Sequence, residues 1–500
     1  MSVFIFGFVA YTFNSNDRMA ASSGAQQTES PMAISATFRP QEAPRSLGMS
    51  MLVLAFAHLI LAIDFTIVYV ALPELGTQLH FSSHTLQWVI HGYTVAFGGC
   101  LLLGGRASDL LGRRRVFTLA LVAFGAASLL GGIASGGATM VFARAPQGIG
   151  AAFVFPSTLA LINTLFDEGA PRVRALAIWS LFGSSGLALG SLLGGLLVAF
   201  FGWRSVFLVN APLAFVTAGA ARFVMPADRA AFGKRRFDLA GAISVTLSST
   251  LLVVALVEGP ACGWGSSEVS VLFAAALVSL GVFSLIELRG ADPLLPIRML
   301  RSRNLRVAMA LTALFMGTFM ALPYFETILF QQSFNYGPLR TGLAFLLPCL
   351  AQAAGTQIGA RFTRGFGMRK TVVAGFTIGA VGTASLAVGM GPGDGYAALV
   401  PGLLVAGVGQ GVAWGPIWIA VASGVKASEH GVANAIASTT FQIGGALGLA
   451  ALVGLSAMAV ATPESSELVR AGARLAAYGA TLGIVFAALL ASRLRSPQGE

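Results

Sequence analysis

The stretch GGRASDLLGRRR, residues 104–115, decides the fold. It lies between apolar runs at 85–105 and 116–135, so it reads as a short loop joining two helices. Its glycines permit a tight bend. Its arginines suit a cytoplasmic loop, where Lys and Arg of membrane proteins gather. A related stretch returns later as GARFTRGFGMRK, residues 359–370. Gly104 matches Gly359, Gly112 matches Gly367, and Arg114–Arg115 matches Arg369–Lys370. PQGIG (146–150) has a fainter echo in GQGVA (409–413), and Gly186 and Gly190 return as Gly444 and Gly448. The echoes keep similar offsets and the same order, so the chain contains two related halves. Such weak internal symmetry is common in transporter folds.

Spanning a bilayer takes about 20 mainly apolar residues. Fourteen stretches qualify: 49–73, 85–105, 116–135, 139–165, 174–200, 203–225, 238–258, 268–288, 304–332, 338–360, 369–390, 395–421, 430–460 and 471–492. The expected fold is therefore an all-α membrane protein of 14 transmembrane helices. Two six-helix bundles, 49–225 and 304–492, flank a segment, 226–303, that carries an inserted helix pair at 238–258 and 268–288. Residues 1–48 read as a disordered cytosolic tail, with Met19, Met32 and Met49 as alternative starts, and 493–500 as a short cytosolic tail. The 500 residues are 56% hydrophobic and 10% charged, against about 25% charged in an average soluble protein. A formal charge of +11 would suit nucleic acid only if gathered on a soluble face. Here it sits in short loops. With both termini cytoplasmic, Arg204, Arg340, Arg470 and Arg474 face outward, Arg18 lies in the tail and Arg144 within a span. The remaining Lys and Arg fall on the cytoplasmic side, which sets the orientation. The three cysteines suggest no disulfide framework.

These motifs resemble the major facilitator superfamily, and within it the fourteen-helix drug:proton antiporters, over about residues 49–490. AIDFTIVYVALP (62–73) contains the first-helix motif, and QWVIHGYTVAFGGCLLLGG (87–105) is similar to the second. The loop signature has Gly105, Asp109, Gly112, Arg113 and Arg114 in place. RAPQGIGAAFVFPS (144–157) resembles the helix-four motif built on Arg144, Gln147 and Gly148. GSSGLALGSLLGG (183–195) resembles the antiporter motif, WRSVFLVNAP (203–212) the start of helix six, and FDLAG, EGPACGWG and DPLLPIRML parts of the insertion. Tyr69 replaces an Asn of the pattern, Ala107 and Leu110 a Leu and an Arg, and Ser191 a Pro. His91 stands where a small hydroxyl residue is usual.

Asp64 sits within the first span, where a carboxylate costs about 2.5–3.5 kcal/mol on translocon-insertion scales. Burial disfavours its charged form, so it can take up and release a proton; the alternatives are a helix cap or a static pair with an arginine. Glu326, in ALPYFETILFQQ (321–332), can serve protonation or cation binding, and Pro323 can break its helix. Arg144 is the one basic residue within a span, and the resemblance implies a part in proton transfer; a structural buried pair is the other reading. His91 can titrate near neutrality or be a hydrogen-bonded structural residue. Asp109, Arg113 and Arg114 can form a cytoplasmic gate reaching between the halves. Gly186, Gly190, Gly194 and Gly195 line one helix face, for sliding or for close packing. Phe65, Tyr69, Gln147, Phe155, Tyr324 and Trp414 are candidates for the substrate cavity, though most aromatic residues here can equally face lipid or other helices.

No phosphate-binding GxxxxGK[ST] motif, metal-ligand cluster or nucleophile–base set is present. The resemblance implies a monomer in the inner (plasma) membrane that exports amphipathic small molecules against protons. It would need no metal, other cofactor or nucleic acid, drawing energy from the proton gradient alone. The rival functions are a proton-linked metabolite importer and a non-transporting sensor or scaffold; for an enzyme the catalytic groups are missing.

Overall fold

The computed structural model describes residues 45–167, 170–228, 239–289, 299, 301–423, 425, 430–458 and 466–495. The tails at 1–44 and 496–500, and the linkers around the inserted pair, lie outside the described residues. Among the described residues the chain is helical, with no strand. The first half comprises α1 (Arg45–Gln78), α2 (Ser83–Leu86), α3 (Trp88–Leu111), α4 (Arg113–Gly132), α5 (Gly137–Leu165), α6 (Ala170–Phe201), α7 (Arg204–Leu208) and α8 (Asn210–Val224). Next come α9 (Leu239–Cys262) and α10 (Ser267–Arg289). Then follow α11 (Arg303–Thr318), α12 (Leu322–Ile328) with a π-helical turn at Leu329–Ser333, α13 (Pro338–Phe366), α14 (Met368–Gly389), α15 (Tyr396–Ala422), α16 (His430–Ala457) and α17 (Ser466–Ala491). Twelve helical segments among the described residues are long and apolar enough to cross a membrane. Helices α3 and α9, 24 residues each, stand beside those twelve; at 1.5 Å per residue each is about 36 Å long.

The repeated loop motif has a repeated conformation. Gly112 alone separates α3 from α4, with φ +100°, and Gly367 alone separates α13 from α14, with φ +81°. A side chain rarely adopts this backbone region, which glycine enters without cost. About two turns deeper, Gly104 lies on the Ala152 carbonyl of α5, and Gly359 lies where an added Cβ would sit 2.6 Å from the Val412 carbonyl of α15. Lipid supplies no hydrophobic force between helices, so close approach at small residues does much of the holding.

The same pairings recur in both halves. Helix α1 packs on α6 as α11 packs on α16, α3 on α5 as α13 on α15, and α4 on α8 as α14 on α17. The halves meet through α6 against α13 and α16 against α3. Helices α9 and α10 pack on each other, and α9 also touches α3 and α16, so the pair lies along that seam.

The buried core is distributed unevenly along the bundle axis. At the Gln78 end of α1 one cluster runs through both halves, joining Leu72, Val89 and Phe207 to Phe325, Phe330 and Leu399. At the Arg45 end there are two clusters, one holding Leu54, Phe117 and Phe124, the other Leu305, Phe376 and Ile417. The halves are thus fused at one end and separately packed at the other. Large apolar side chains such as Phe142, Phe201, Phe223, Leu277 and Leu482 are exposed on the outside, as a lipid-facing surface requires.

Candidate functional site

Asp64 lies on α1 and is fully buried. Three donors from two helices converge on it. Arg144 Nη1 of α5 lies 3.3 Å from Oδ2; Gln147 Nε2, one turn along α5, is 2.8 Å from Oδ1, and Asn210 Nδ2 at the start of α8 is 2.7 Å from Oδ1. Arg144 also donates from Nε to the Val89 carbonyl at 2.9 Å and from Nη1 to Gln147 Oε1 at 2.5 Å. Its guanidinium carbon stands 4.4 Å from the centre of the Tyr93 ring, a cation–π arrangement. Gln147 further donates to Ser128 Oγ of α4 at 2.8 Å. The carboxylate charge is therefore compensated by a cation and two amides, all supplied by the first half. Burying a charge without such partners would be very costly.

Three backbone approaches make room for this network. Gly148 of α5 lies on the Tyr93 carbonyl of α3, bringing Arg144 and Gln147 against α1 and α3. An added Cβ at Gly186 would meet the Leu59 carbonyl at 2.9 Å, and one at Gly190 the Ile63 carbonyl at 2.6 Å, so α6 lies directly on the Asp64 turn of α1. Gly194 continues the stripe onto Ile67, whereas Gly195 turns to α13, facing Gly342 across the halves. In the second half Gly444 lies on Ala313 and Gly448 on Gly317. By this correspondence Thr318 stands where the first half has Asp64, and Gly407 where it has Arg144. The repeats share packing and differ in charge.

Glu326 lies elsewhere. Helix α11 stops at Thr318 and α12 restarts with Pro323 in its first turn, where a missing N–H does no harm. Glu326 follows on α12, buried, on the wall of a cavity of about 80 Å³ between the halves. Phe65 and Tyr69 of α1 line the same cavity, with Gln352 of α13 and Gln410 of α15. Gln410 is the counterpart of Gln147 in the repeated motif. Tyr69 Oη donates to the Met320 carbonyl at 3.4 Å and Gln331 Nε2 to the Val70 carbonyl at 2.9 Å, tying α1 to the second half beside the cavity.

Other candidates stand away from this cavity. Phe155 packs against His58 and Trp179, Trp414 against Phe315 and Phe441, and Tyr324 against Phe325; none of them lines the cavity. A helix apolar all round gives no period by which to choose its inward face. Gln147 likewise serves the Asp64 network, not the cavity wall. His91 lies 3.3 Å from Gln87 Oε1 through Nε2, on a small second cavity with Tyr69 and Thr94. Among the described contacts none joins it to Asp64.

The loop arginines do not bridge the halves in the contacts described. Arg113 donates to the Ala160 carbonyl and to Thr164 Oγ1, and Arg114 to the Met225 carbonyl at 2.9 Å. All three acceptors belong to the first half, because at this end the halves pack separately. Gly105 faces Pro156 of α5; the side chain of Asp109 lies outside the described residues. Asp228, not singled out in the sequence, caps α4 by accepting from the Arg114 and Arg115 amides at 2.9 Å each. Asn210 was also missed. Its signal was a lone amide in an apolar run, inside the WRSVFLVNAP motif.

A family model described as Major Facilitator Superfamily matches residues 54–449. The chain belongs to the major facilitator superfamily. Among superfamily relatives, the cephamycin export protein CmcT of Amycolatopsis lactamdurans is 36% identical, over 82% of this chain and 85% of that protein. The puromycin resistance protein pur8 of Streptomyces alboniger is 35% identical, over 87% of this chain and 88% of its own length. Among solved structures, the human organic anion transporter MFSD10 (TETRAN) superposes with a TM-score of 0.62 at 18% identity, over 90% of this chain and 100% of that one. That likeness concerns the fold. The chain is a multi-span membrane transporter of small molecules and not an enzyme.

Proposed function

We propose that this chain is a fourteen-helix drug:proton antiporter that exports amphipathic organic compounds from the cytoplasm. The observation that carries the proposal is the buried Asp64–Arg144 pair, closed within one half beside a cavity that both halves line. Protonating Asp64 would release Arg144, Gln147 and Asn210 from their shared acceptor, and so couple proton uptake to repacking of α1, α5 and α8. The export and resistance named in its relatives support the outward direction of cargo movement. The length of helices α3 and α9, 24 residues each beside the twelve candidate spans, supports the reading of fourteen. The shared pairings support two six-helix bundles, 49–225 and 304–492, with the inserted pair beside their seam. The arginine-rich loops support a cytoplasmic position for the Arg45 end of α1 and for both termini. On that reading the joint core closes the outer side, and the molecule faces inward. The protein works as a monomer, and the proton gradient is its energy source.

Proteoliposomes carrying an inwardly directed dye and a pH gradient test this. Substrate addition should dissipate the gradient in the wild type, and Asp64→Asn should abolish the effect while the protein still inserts. Acidification that accompanies cargo uptake into the compartment matching the cytoplasm would refute export.

A further inference from the structure

The inserted helix α9 meets α3 at the turn that holds Arg144, and we propose that Glu258 of α9 is a positioning residue for the Asp64–Arg144 pair. It acts through Trp88, whose indole it holds in place. The inserted helices thereby serve proton coupling as part of the first half. This deepens the antiport reading and rests on it.

Gln87 separates α3 from the short α2 and offers α3 no side-chain cap. A helix end of this kind frays unless something else ties it down. Two consecutive residues of the first turn carry the ties. The Trp88 indole Nε1 donates to Glu258 Oε1 at 3.3 Å, and the Val89 carbonyl accepts from Arg144 Nε at 2.9 Å. His91, one turn on, stands edge-on to the Trp88 ring with centroids 5.9 Å apart. Because Trp88 and Val89 are neighbours in the chain, a turn that lets the indole swing also displaces the carbonyl. The guanidinium is planar and rigid, so fixing Nε at Val89 sets the direction in which Nη1 meets Asp64 Oδ2. Glu258 thus reaches the pair through one side chain and one carbonyl.

The inserted helix is fastened to the first half at a second point. Farther along α3, Thr246 Oγ1 of α9 donates to the Gly99 carbonyl at 2.7 Å, and an added Cβ at Gly99 would meet Thr246 Cγ2 at 2.9 Å. The second half meets the same seam differently. Helix α16 touches α3 where Gln442 meets Gly98, and there Gln442 Oε1 and Thr439 Oγ1 are buried without a hydrogen-bond partner. The Trp88 ring packs on the small cluster of Val95 with Ala446 and Ala450 of α16. Apolar contacts part and re-form as the halves rock, whereas the bond from Trp88 to a carboxylate is charge-assisted and stronger than a neutral one. When the outer end opens, α16 leaves the Trp88 ring. Glu258 then keeps the first turn of α3, and with it the Val89 carbonyl, in register with Arg144.

Two transport readouts on the full-length protein in proteoliposomes test the proposal, with ethidium as the probe. One is efflux driven by a pH gradient; the other is exchange of labelled for unlabelled ethidium, which moves no net proton. Glu258→Ala should slow proton-driven efflux about fivefold, as loss of one hydrogen bond implies, and leave exchange within about twofold of the wild type. Loss of folded protein would lower both alike. Trp88→Phe, which keeps a ring and removes the donor, should act as Glu258→Ala does, and the double variant should be no slower than either. Glu258→Gln, which keeps an acceptor, should bring efflux back to within about twofold. Hydrogen exchange of the purified protein in micelles reads the same link without transport: amides over 88–94 should exchange about fivefold faster in Glu258→Ala and at the wild-type rate in Glu258→Gln. Normal efflux in Glu258→Ala, equal loss of both transport activities, no recovery in Glu258→Gln, or unchanged hydrogen exchange would overturn the positioning role. Faster hydrogen exchange in Glu258→Ala, with no proton-driven movement in the wild type, would instead count against the antiport reading and leave the link from α9 to the Arg144 turn standing.

Discussion

The Asp64–Arg144 pair makes a quantitative prediction. At 3.3 Å and an effective dielectric constant of about 20, the attraction is about 5 kcal/mol. Desolvation of both ions offsets much of this, so the net contribution of the pair is small. Removing one partner is different, because the other charge stays buried. Asp64→Asn would leave Arg144 with the Val89 carbonyl, Gln147 Oε1 and the Tyr93 ring, three partners that carry no negative charge. Arg144→Gln would leave Asp64 with Gln147 and Asn210 alone. Each single change should destabilise the protein by about 3–5 kcal/mol. The double variant should cost less than their sum by about 2–4 kcal/mol, since it leaves no charge unpaired. The assay is a double-mutant cycle, with unfolding of the purified protein followed in mixed micelles of increasing denaturing detergent. Single effects that add to the double within about 0.5 kcal/mol would show that the two residues do not act as a unit, and the coupling argument would fail.

Three further outcomes are expected. Gly190→Val should prevent stable insertion, because its side chain would collide with Thr66 and the Ile63 carbonyl, whereas Gly219→Ala should be tolerated because nothing lies within 4 Å; expression and gel-filtration profiles compare them. Asp228→Ala removes both acceptors of the Arg114 and Arg115 amides and should weaken the start of α4 by about 1 kcal/mol, read as faster hydrogen exchange over 113–117 with the rest unchanged. Cysteines at 98 and 442 in a cysteine-free background should cross-link once the two helices part by about 1 Å, since an added Cβ at Gly98 falls 2.6 Å from Gln442 Cβ and a disulfide holds its Cβ atoms about 3.8 Å apart; the bond should stop transport, and reduction should restore it.

The repeated loop was legible from sequence because its glycines are dictated by local geometry. Gly112 and Gly367 each turn a chain within one residue, and no other residue type does so as cheaply. Apolar runs marked the helices because a bilayer demands them, and Asp64 and Arg144 were visible because charge in such runs is expensive. Their mutual contact was not, for 80 positions separate them and spacing alone names no partner. Asn210 as the third donor, Glu326 as an acid without one, and the removal of Phe155, Tyr324 and Trp414 from the cavity all depended on helix rotation. In helices apolar on every side, rotation leaves no periodic trace. It is settled by which small residues let neighbouring backbones touch, and that is a property of the assembled bundle.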